Sequence, residues 1–554
     1  MTAAPILERV MIAFEGEGVP RWVEKRLGEA PAAGVTLFMA VNVMGPGQVR
    51  EMTAALQRCA SRWAGATAAG GAAGGAAPGG AAGAGALLIA ADQEGGQLNA
   101  LGAEATQFAG NMALGAVDDE GLTERVGAAI GREARAMGVN LVYAPVLDLA
   151  TEPQNAALGI RSFGDDPGVV GRHGAAMVRG LQSAGVAASA KHFPGLGAMA
   201  QDTHHALGVI EGTAEHLATH EFAPFRAAIA AGARLVMSAH IAVPAVTGDP
   251  TLPATLSRTV MDGTLRGDLG FGGLTISDAL DMHALAQGPA QAVDIIAAIR
   301  AGIDLLLCAP DRPAQRRIEE TLRAAATRGL FEPDESKASS ARLADLRSWL
   351  AAAGPPPELD VVGSSEHRAL SRELAERALT RLDSSPGEAE GRSRAEAPRI
   401  APLGRDTRIL AIMPEPSDLT PADTSSSVPP GLGRALRTRF ASVDDVVVPV
   451  APSDAEITAL HSRAASFDAV VVGTIEAHRQ PAQAALVRAI AGSGTRTVAV
   501  AMRTPWDATV YPAGLAAIAT YSILPDPLEA LARGLAGEIG FPGRLPVSVA
   551  GSDR

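Results

Sequence analysis

Eight short apolar runs, each followed by enough chain for a helix, constrain this sequence more than any other feature. They are Val10–Phe14, Val35–Met39, Ala86–Ala91, Val139–Ala144, Val186–Ala190, Leu235–Ala239, Leu274–Ser277 and Ile303–Leu307. Between them Glu120–Met137, Pro167–Ala184, Ala214–Ala231 and Gln291–Ala301 place apolar residues at helical spacing. A strand buried on both faces reads as a continuous apolar run, and alternating strand and helix units build a parallel sheet with helices outside it. Eight such units predict a (β/α)8 barrel. An Ala-rich run can also be a piece of buried helix, but polar residues at the run ends favour strands. Asp92 closes the third run, Asp148 follows the fourth, Lys191 and His192 the fifth, His240 the sixth and Asp278 the seventh. In a barrel those ends open on one mouth, where loops can surround a single ligand. For Asp148, substrate contact and bonding to nearby loop backbone stay equally open.

The fifth run leads into KHFPGLGAMAQDTHHALGVI, residues 191–210. This segment is expected to leave the strand at Lys191 as a loop, bend at Gly195 and Gly197, and present Asp202, Thr203 and His204 together. A carboxylate two residues from an imidazole can accept its ring N–H, fix the tautomer and leave the other nitrogen ready for proton transfer. A lone histidine is usually structural, and His205 is read as a solvated neighbour.

At 554 residues the chain exceeds one ordinary core, and two domains are expected. Residues 1–350 form the barrel. Ala64–Ala86, nearly all Ala and Gly, has no side chains to bury and reads as a mobile insertion. Residues 351–404 form a helical and flexible linker, with a helix over Glu366–Leu382 and a polar, proline-punctuated stretch over Ser384–Gly404. Beyond it, Ile409–Met413, Val446–Val450, Ala469–Gly473, Val498–Met502 and Ile518–Tyr521 are five further strand candidates, giving residues 405–554 an open α/β sandwich.

A net charge of −13 without a Lys/Arg stripe excludes a nucleic-acid partner. Cys59 and Cys308 have no metal or disulfide spacing, so neither a zinc site nor a disulfide framework is expected, and a reducing compartment is the simpler reading. The N-terminus lacks a basic front and long apolar core, and no run of about 18 apolar residues appears. The expectation is a cytoplasmic protein without a membrane partner; its oligomeric state is open.

The segment 191–210 resembles the K-H-F-P-G-H-G…D-[ST]-H pattern of the β-N-acetylglucosaminidases of glycoside hydrolase family 3. Further matches recur in order: DQEGG at 92–96, GIRSFG at 159–164, LVMSAH at 235–240 and LTISDALDMHAL at 274–285. AMRTPWDATVYP, ATYS and GRLPVSV resemble the family's common second domain.

The resemblance implies a retaining exo-β-N-acetylglucosaminidase that needs no cofactor and acts on muropeptide fragments in peptidoglycan recycling, or on short chitin-derived sugars. It makes Asp278 the nucleophile, although a strand-end Asp can also simply cap the next helix. His204 becomes the general acid and then base, with Asp202 orienting it, while Asp92, Arg161, Lys191, His192 and His240 hold the sugar. Three positions depart from the pattern: Leu196 replaces a His, and Gln97 and Ala100 replace two arginines. Arg503 or the loop Thr424–Gly433 is a possible replacement cation. A phosphorylase using the same site, and a non-catalytic sugar-binding homologue, are the alternatives.

Overall fold

The computed structural model describes residues 4–69, 87–200, 203, 206–382 and 400–549. All eight expected strands form: β1 (Val10–Ile12), β2 (Gly34–Leu37), β3 (Leu88–Ala91), β4 (Leu141–Val142), β5 (Ala187–Phe193), β6 (Leu235–Ser238), β7 (Leu274–Ser277) and β8 (Leu306–Leu307). They pair in parallel in sequence order, and β8 returns to β1. A parallel bridge between Ile276 and Leu305 joins β7 to the approach of β8 and closes the barrel.

Period-two alternation sends successive residues to two covered faces, so the barrel strands are buried along their whole length. Met11, Leu88, Leu141, Ala187, Leu235 and Leu274 belong to one buried cluster inside the barrel. Their neighbours Val10, Ile89, Val142, Ala188 and Val236 belong to another, packed under the surrounding helices. Leu343, Leu346 and Leu350 of the helix Pro333–Ala352 join the interior cluster.

A second sheet holds β9 (Thr380–Arg381), β10 (Arg408–Pro414), β11 (Ser442–Val448), β12 (Ala469–Thr474), β13 (Arg496–Ala501) and β14 (Ala516–Ala519). Its order is β9-β14-β13-β12-β10-β11, with β9 alone antiparallel to its neighbour. Ile409, Ala411 and Met413 face one apolar layer with Leu432 and Leu528, while Leu410 and Ile412 face the other with Leu460 and Leu486. This is the expected sandwich. The chain end then returns to the barrel, where Asp165 N donates to Pro546 O and Ser548 Oγ donates to Asp165 Oδ2 at 2.8 Å.

Several local expectations are corrected. The helix over 214–231 is two, Ala214–Thr219 and Phe222–Ala230, because Pro224 has no N–H to offer the carbonyl four residues back, that of His220. Strand β5 continues through Lys191 and His192 to Phe193, whose carbonyl accepts from Ala239 N at 2.7 Å, so the loop starts three residues later than expected. The helix expected over 366–382 spans Ser365–Ala378, after which Thr380 and Arg381 pair with β14. Residues 64–69 finish the helix Pro46–Ala69; the rest of the Ala/Gly stretch, like 384–399 of the expected linker, lies outside the described residues. Among the described residues no helix is long and apolar enough to cross a membrane.

Candidate active site

At the C-terminal ends of the barrel strands lies a cavity of about 570 Å³. Asp92, Arg161, Lys191, His192 and Asp278 all line it, so five residues expected at the site meet in one space. The sequence places them there by ending strands at them: Asp92 follows β3, Lys191 and His192 lie on β5, and Asp278 follows β7.

The cations are held by carboxylates. Lys191 Nζ is 2.6 Å from Asp92 Oδ1 and 2.5 Å from Glu94 Oε1. Arg161 makes a two-point bond to Glu94, Nε to Oε2 and Nη2 to Oε1, each at 2.8 Å, and its Nη1 donates to Ala157 O. Burial alone would raise the Glu94 carboxyl, but Arg161 and Lys191 outweigh it and hold Glu94 at about 2. Burial likewise works to discharge Lys191, and Asp92 with Glu94 reverses this, so its ammonium sits above the ordinary lysine range. The four groups form a buried array of two positive and two negative charges.

His192 Nδ1 lies 2.7 Å from Asp148 Oδ2, and Asp148 Oδ1 accepts from the backbone N–H groups of His192 and Leu196. Asp148 is fully buried and is not among the described residues lining the cavity. Of its two open readings, bonding to the neighbouring loop is the observed one. The loop after β5 needs its glycines: Gly195 has a φ of +114°, and a Cβ on Gly197 would fall 1.6 Å from Leu149 O.

Asp278 N donates to Ser238 O, and its Oδ1 accepts from Ala279 N at 2.8 Å. His240 lies at 0% exposure and is also not among the described lining residues, in contrast to its expected place at the sugar. Its Nε2 is 3.2 Å from Ala279 O and its Nδ1 2.8 Å from Thr255 Oγ1. Burial lowers its pKa, so a neutral imidazole supports the backbone beside Asp278. Asp202, His204 and His205 lie outside the described residues; Thr203, between them in sequence, lines the cavity.

Sequence reasoning missed three parts of this site. Glu94 stands two residues after Asp92 in an extended segment, a spacing that puts both carboxylates on one side. Asp281 and His283 line the cavity from the segment after Asp278. Pro421–Thr424 reach over from the second sheet's side; sequence reasoning singles out only Thr424 of these, as the start of the loop Thr424–Gly433, and no strand or helix pattern marks the other three. There Thr424 N and Oγ1 donate to Gln97 O, and Gln97 Nε2 donates to Ala422 O at 3.2 Å. Gln97 therefore serves as an inter-sheet contact, while Ala100 and Leu196 present apolar surface to the cavity. Arg503 is buried and bonds Asp423 and Ser425, so it braces this segment without lining the cavity.

A closed parallel barrel with charged residues gathered at its strand ends, roofed by part of an α/β sandwich, defines the class of barrel proteins that hold a ligand at the C-terminal mouth. The glycosyl hydrolase family 3 N terminal domain matches residues 82–346. A β-hexosaminidase of Stenotrophomonas maltophilia (strain K279a) is 33% identical over 305 residues, 54% of this chain and 81% of that protein. β-Hexosaminidase A of Pseudoalteromonas piscicida is 30% identical over 373 residues, 63% of this chain, and the match spans 59% of that longer protein. The structure of a glycoside hydrolase family 3 β-N-acetylglucosaminidase from Paenibacillus sp. str. FPU-7 superposes with a TM-score of 0.88 at 32% identity, covering 99% of both chains. The chain belongs to glycoside hydrolase family 3.

Proposed function

We propose that this protein is a retaining exo-β-N-acetylglucosaminidase that removes terminal β-linked N-acetylglucosamine. The observation that carries the reading is the meeting of Asp278 with Asp92, Arg161 and Lys191 in one cavity. The relatives named β-hexosaminidase and the similar acetylglucosaminidase structure support the sugar.

Sugar hydroxyls are held best by charged partners offering directional bonds, and the array around Glu94 fixes its charged groups before substrate arrives. In the first step the Asp278 carboxylate attacks the anomeric carbon, and the departing glycosidic oxygen takes a proton from His204. In the second, His204 accepts a proton from water, whose oxygen displaces the Asp278 ester and restores the β configuration. Asp202 accepts the other ring N–H of His204. Thr203 at the cavity wall supports bringing this pair to the sugar. His240 and Asp148 act as positioning residues, for the backbone at Ala279 and for the His192 ring. Cell-wall fragments and chitin-derived sugars are the two substrate classes, and a cytoplasmic enzyme of peptidoglycan recycling is the setting for the first.

Asp278→Ala is expected to abolish turnover of p-nitrophenyl β-N-acetylglucosaminide while the fold persists. His204→Ala should slow a natural disaccharide by about 10²–10⁴-fold but an activated aryl substrate far less, because a nitrophenolate leaves without a proton. Equal slowing of both removes His204 from the acid role. NMR of fresh product distinguishes retention, and sugar 1-phosphate formed only with phosphate present would replace hydrolysis by phosphorolysis.

A further inference from the structure

Among the described residues the lysine and arginine of the cavity lie on one side, next to the apolar Leu98, Ala100, Ala157 and Leu196. This side, from β3 to β5, carries Asp92, Arg161, Lys191 and His192. The other side is built by the ends of β2 and β8, the segment after β7 and the roof from the second sheet's side. Phe38, Met39, Val41, Pro310, Pro421 and Ala422 line it and all retain exposed surface. Among the described residues this side has no Lys or Arg. Its carboxylates are Asp278, which stands at the junction of the two sides, Asp281, which is exposed, and Asp423, whose side chain is buried and paired with Arg503; its basic group is the exposed His283.

We propose that this second side seats the leaving group, and that it selects an uncharged one with an apolar face over one carrying a carboxylate. The proposal rests on the acetylglucosaminidase reading, which assigns the charged side to the terminal sugar. Apolar surface gains by covering the hydrocarbon face of a ring or an acyl chain. A carboxylate there would lose water beside Asp281 without an arginine or lysine to receive it, and the chain's −13 net charge opposes its approach. Of the two substrate classes, neutral chitin-type oligosaccharides fit, and acidic muramyl fragments do not.

The test compares two substrates differing by one charge: N-acetylglucosaminyl-β-1,4-N-acetylmuramic acid and its methyl ester, each followed by release of N-acetylglucosamine. The ester is expected to show a kcat/KM higher by about tenfold or more at low salt, with the gap closing as salt is added. Ala40→Lys, at an exposed lining position, should narrow the gap by raising turnover of the acid; Val41→Lys repeats the test at the next residue. An acid hydrolysed as well as its ester, or a ratio unmoved by either folded lysine variant, overturns the proposal. Hydrolysis of p-nitrophenyl β-N-acetylglucosaminide is measured alongside. Its absence refutes the acetylglucosaminidase reading and the proposal with it, whereas its presence with preference for the acid refutes only the proposal.

Discussion

At the scale of single residues, the site depends on a side chain that offers the ligand little surface. Glu94 is 3% exposed and neutralises both cations of the charged array, so removing its charge leaves Arg161 buried without its two-point partner. Glu94→Gln is expected to cost roughly 3–5 kcal/mol in urea unfolding at neutral pH. Because the native pKa is depressed to about 2 from an ordinary 4.5, the Glu94 contribution is fully present above pH 4.5. It fades as pH falls toward 2, so the wild-type advantage over the variant should shrink on acidification. An advantage that stays constant down to that pH would contradict the charge argument. Asp92, Lys191 and Asp278 were legible in sequence because each ends or follows an apolar run. Glu94 was hidden by the same logic, since a residue two places past a strand end looks like loop until its partners are known. His240 misled for the opposite reason: its place after β6 points toward the mouth, yet its ring turns down to Thr255 and the Ala279 carbonyl.

Elements were legible where burial dictates pattern, and illegible where one hydrogen bond or one contact with distant chain decides. All eight barrel strands carry both-face burial in their composition, but the length of β5 depends on pairing of Phe193 with Ser238, which no local signal encodes. The same holds for the short helix Pro505–Val510, whose Asp507 Oδ1 lies 2.9 Å from His478 Nδ1. The opposite ring nitrogen, Nε2, is 2.9 Å from Pro153 O on the barrel, so His478 spans the two sheets' elements. Loop residues just beyond Pro153 reach the site, since Asn155 Nδ2 donates to Leu196 O and Ala157 O receives Arg161. Burial alone would lower the His478 pKa, but the bond to Asp507 and the charges of Glu476 and Asp507 raise it above 6.5. A raised native pKa stabilises the fold fully below pH 6.5, and the contribution is lost as pH rises through the native value. His478→Ala is therefore expected to cost about 1–3 kcal/mol in mildly acidic buffer and less in alkaline buffer. Chemical denaturation at several pH values checks this. A loss that grows with pH would mean the imidazole is held neutral.

For the molecule as a whole, the two ends of the barrel divide stability from function. At the strand N-termini Asp304 is nearly fully buried and takes bonds from Arg266, from two nitrogens of Arg342 and from Thr275 N of β7, an ion network that ties β7 and the approach of β8 to the helical segment Thr259–Asp268 and the helix Pro333–Ala352. At the other end the charges line a cavity, and part of its wall comes from residues 421–424. That wall is held from behind by Arg503 on Asp423 and in front by Thr424 on Gln97. Composition and periodicity foretell two packed sheets, but not that one would complete the other's cavity, because the contact is made by irregular chain with no periodic signal. Arg503→Ala strands a fully buried carboxylate, for which roughly 3–5 kcal/mol of destabilisation is expected. Asp423→Asn alone strands the buried Arg503 in turn, whereas the double variant leaves neither charge unpaired, so it should be less damaged than the sum of the singles by about 1–3 kcal/mol. The catalytic readout separates wall from machinery: a displaced wall raises KM on disaccharides while leaving kcat on an aryl substrate nearly intact, since Asp278 directly follows β7 of the barrel and does not belong to the second sheet. Equal loss of kcat on both substrates would mean that the second sheet shapes the reacting centre itself.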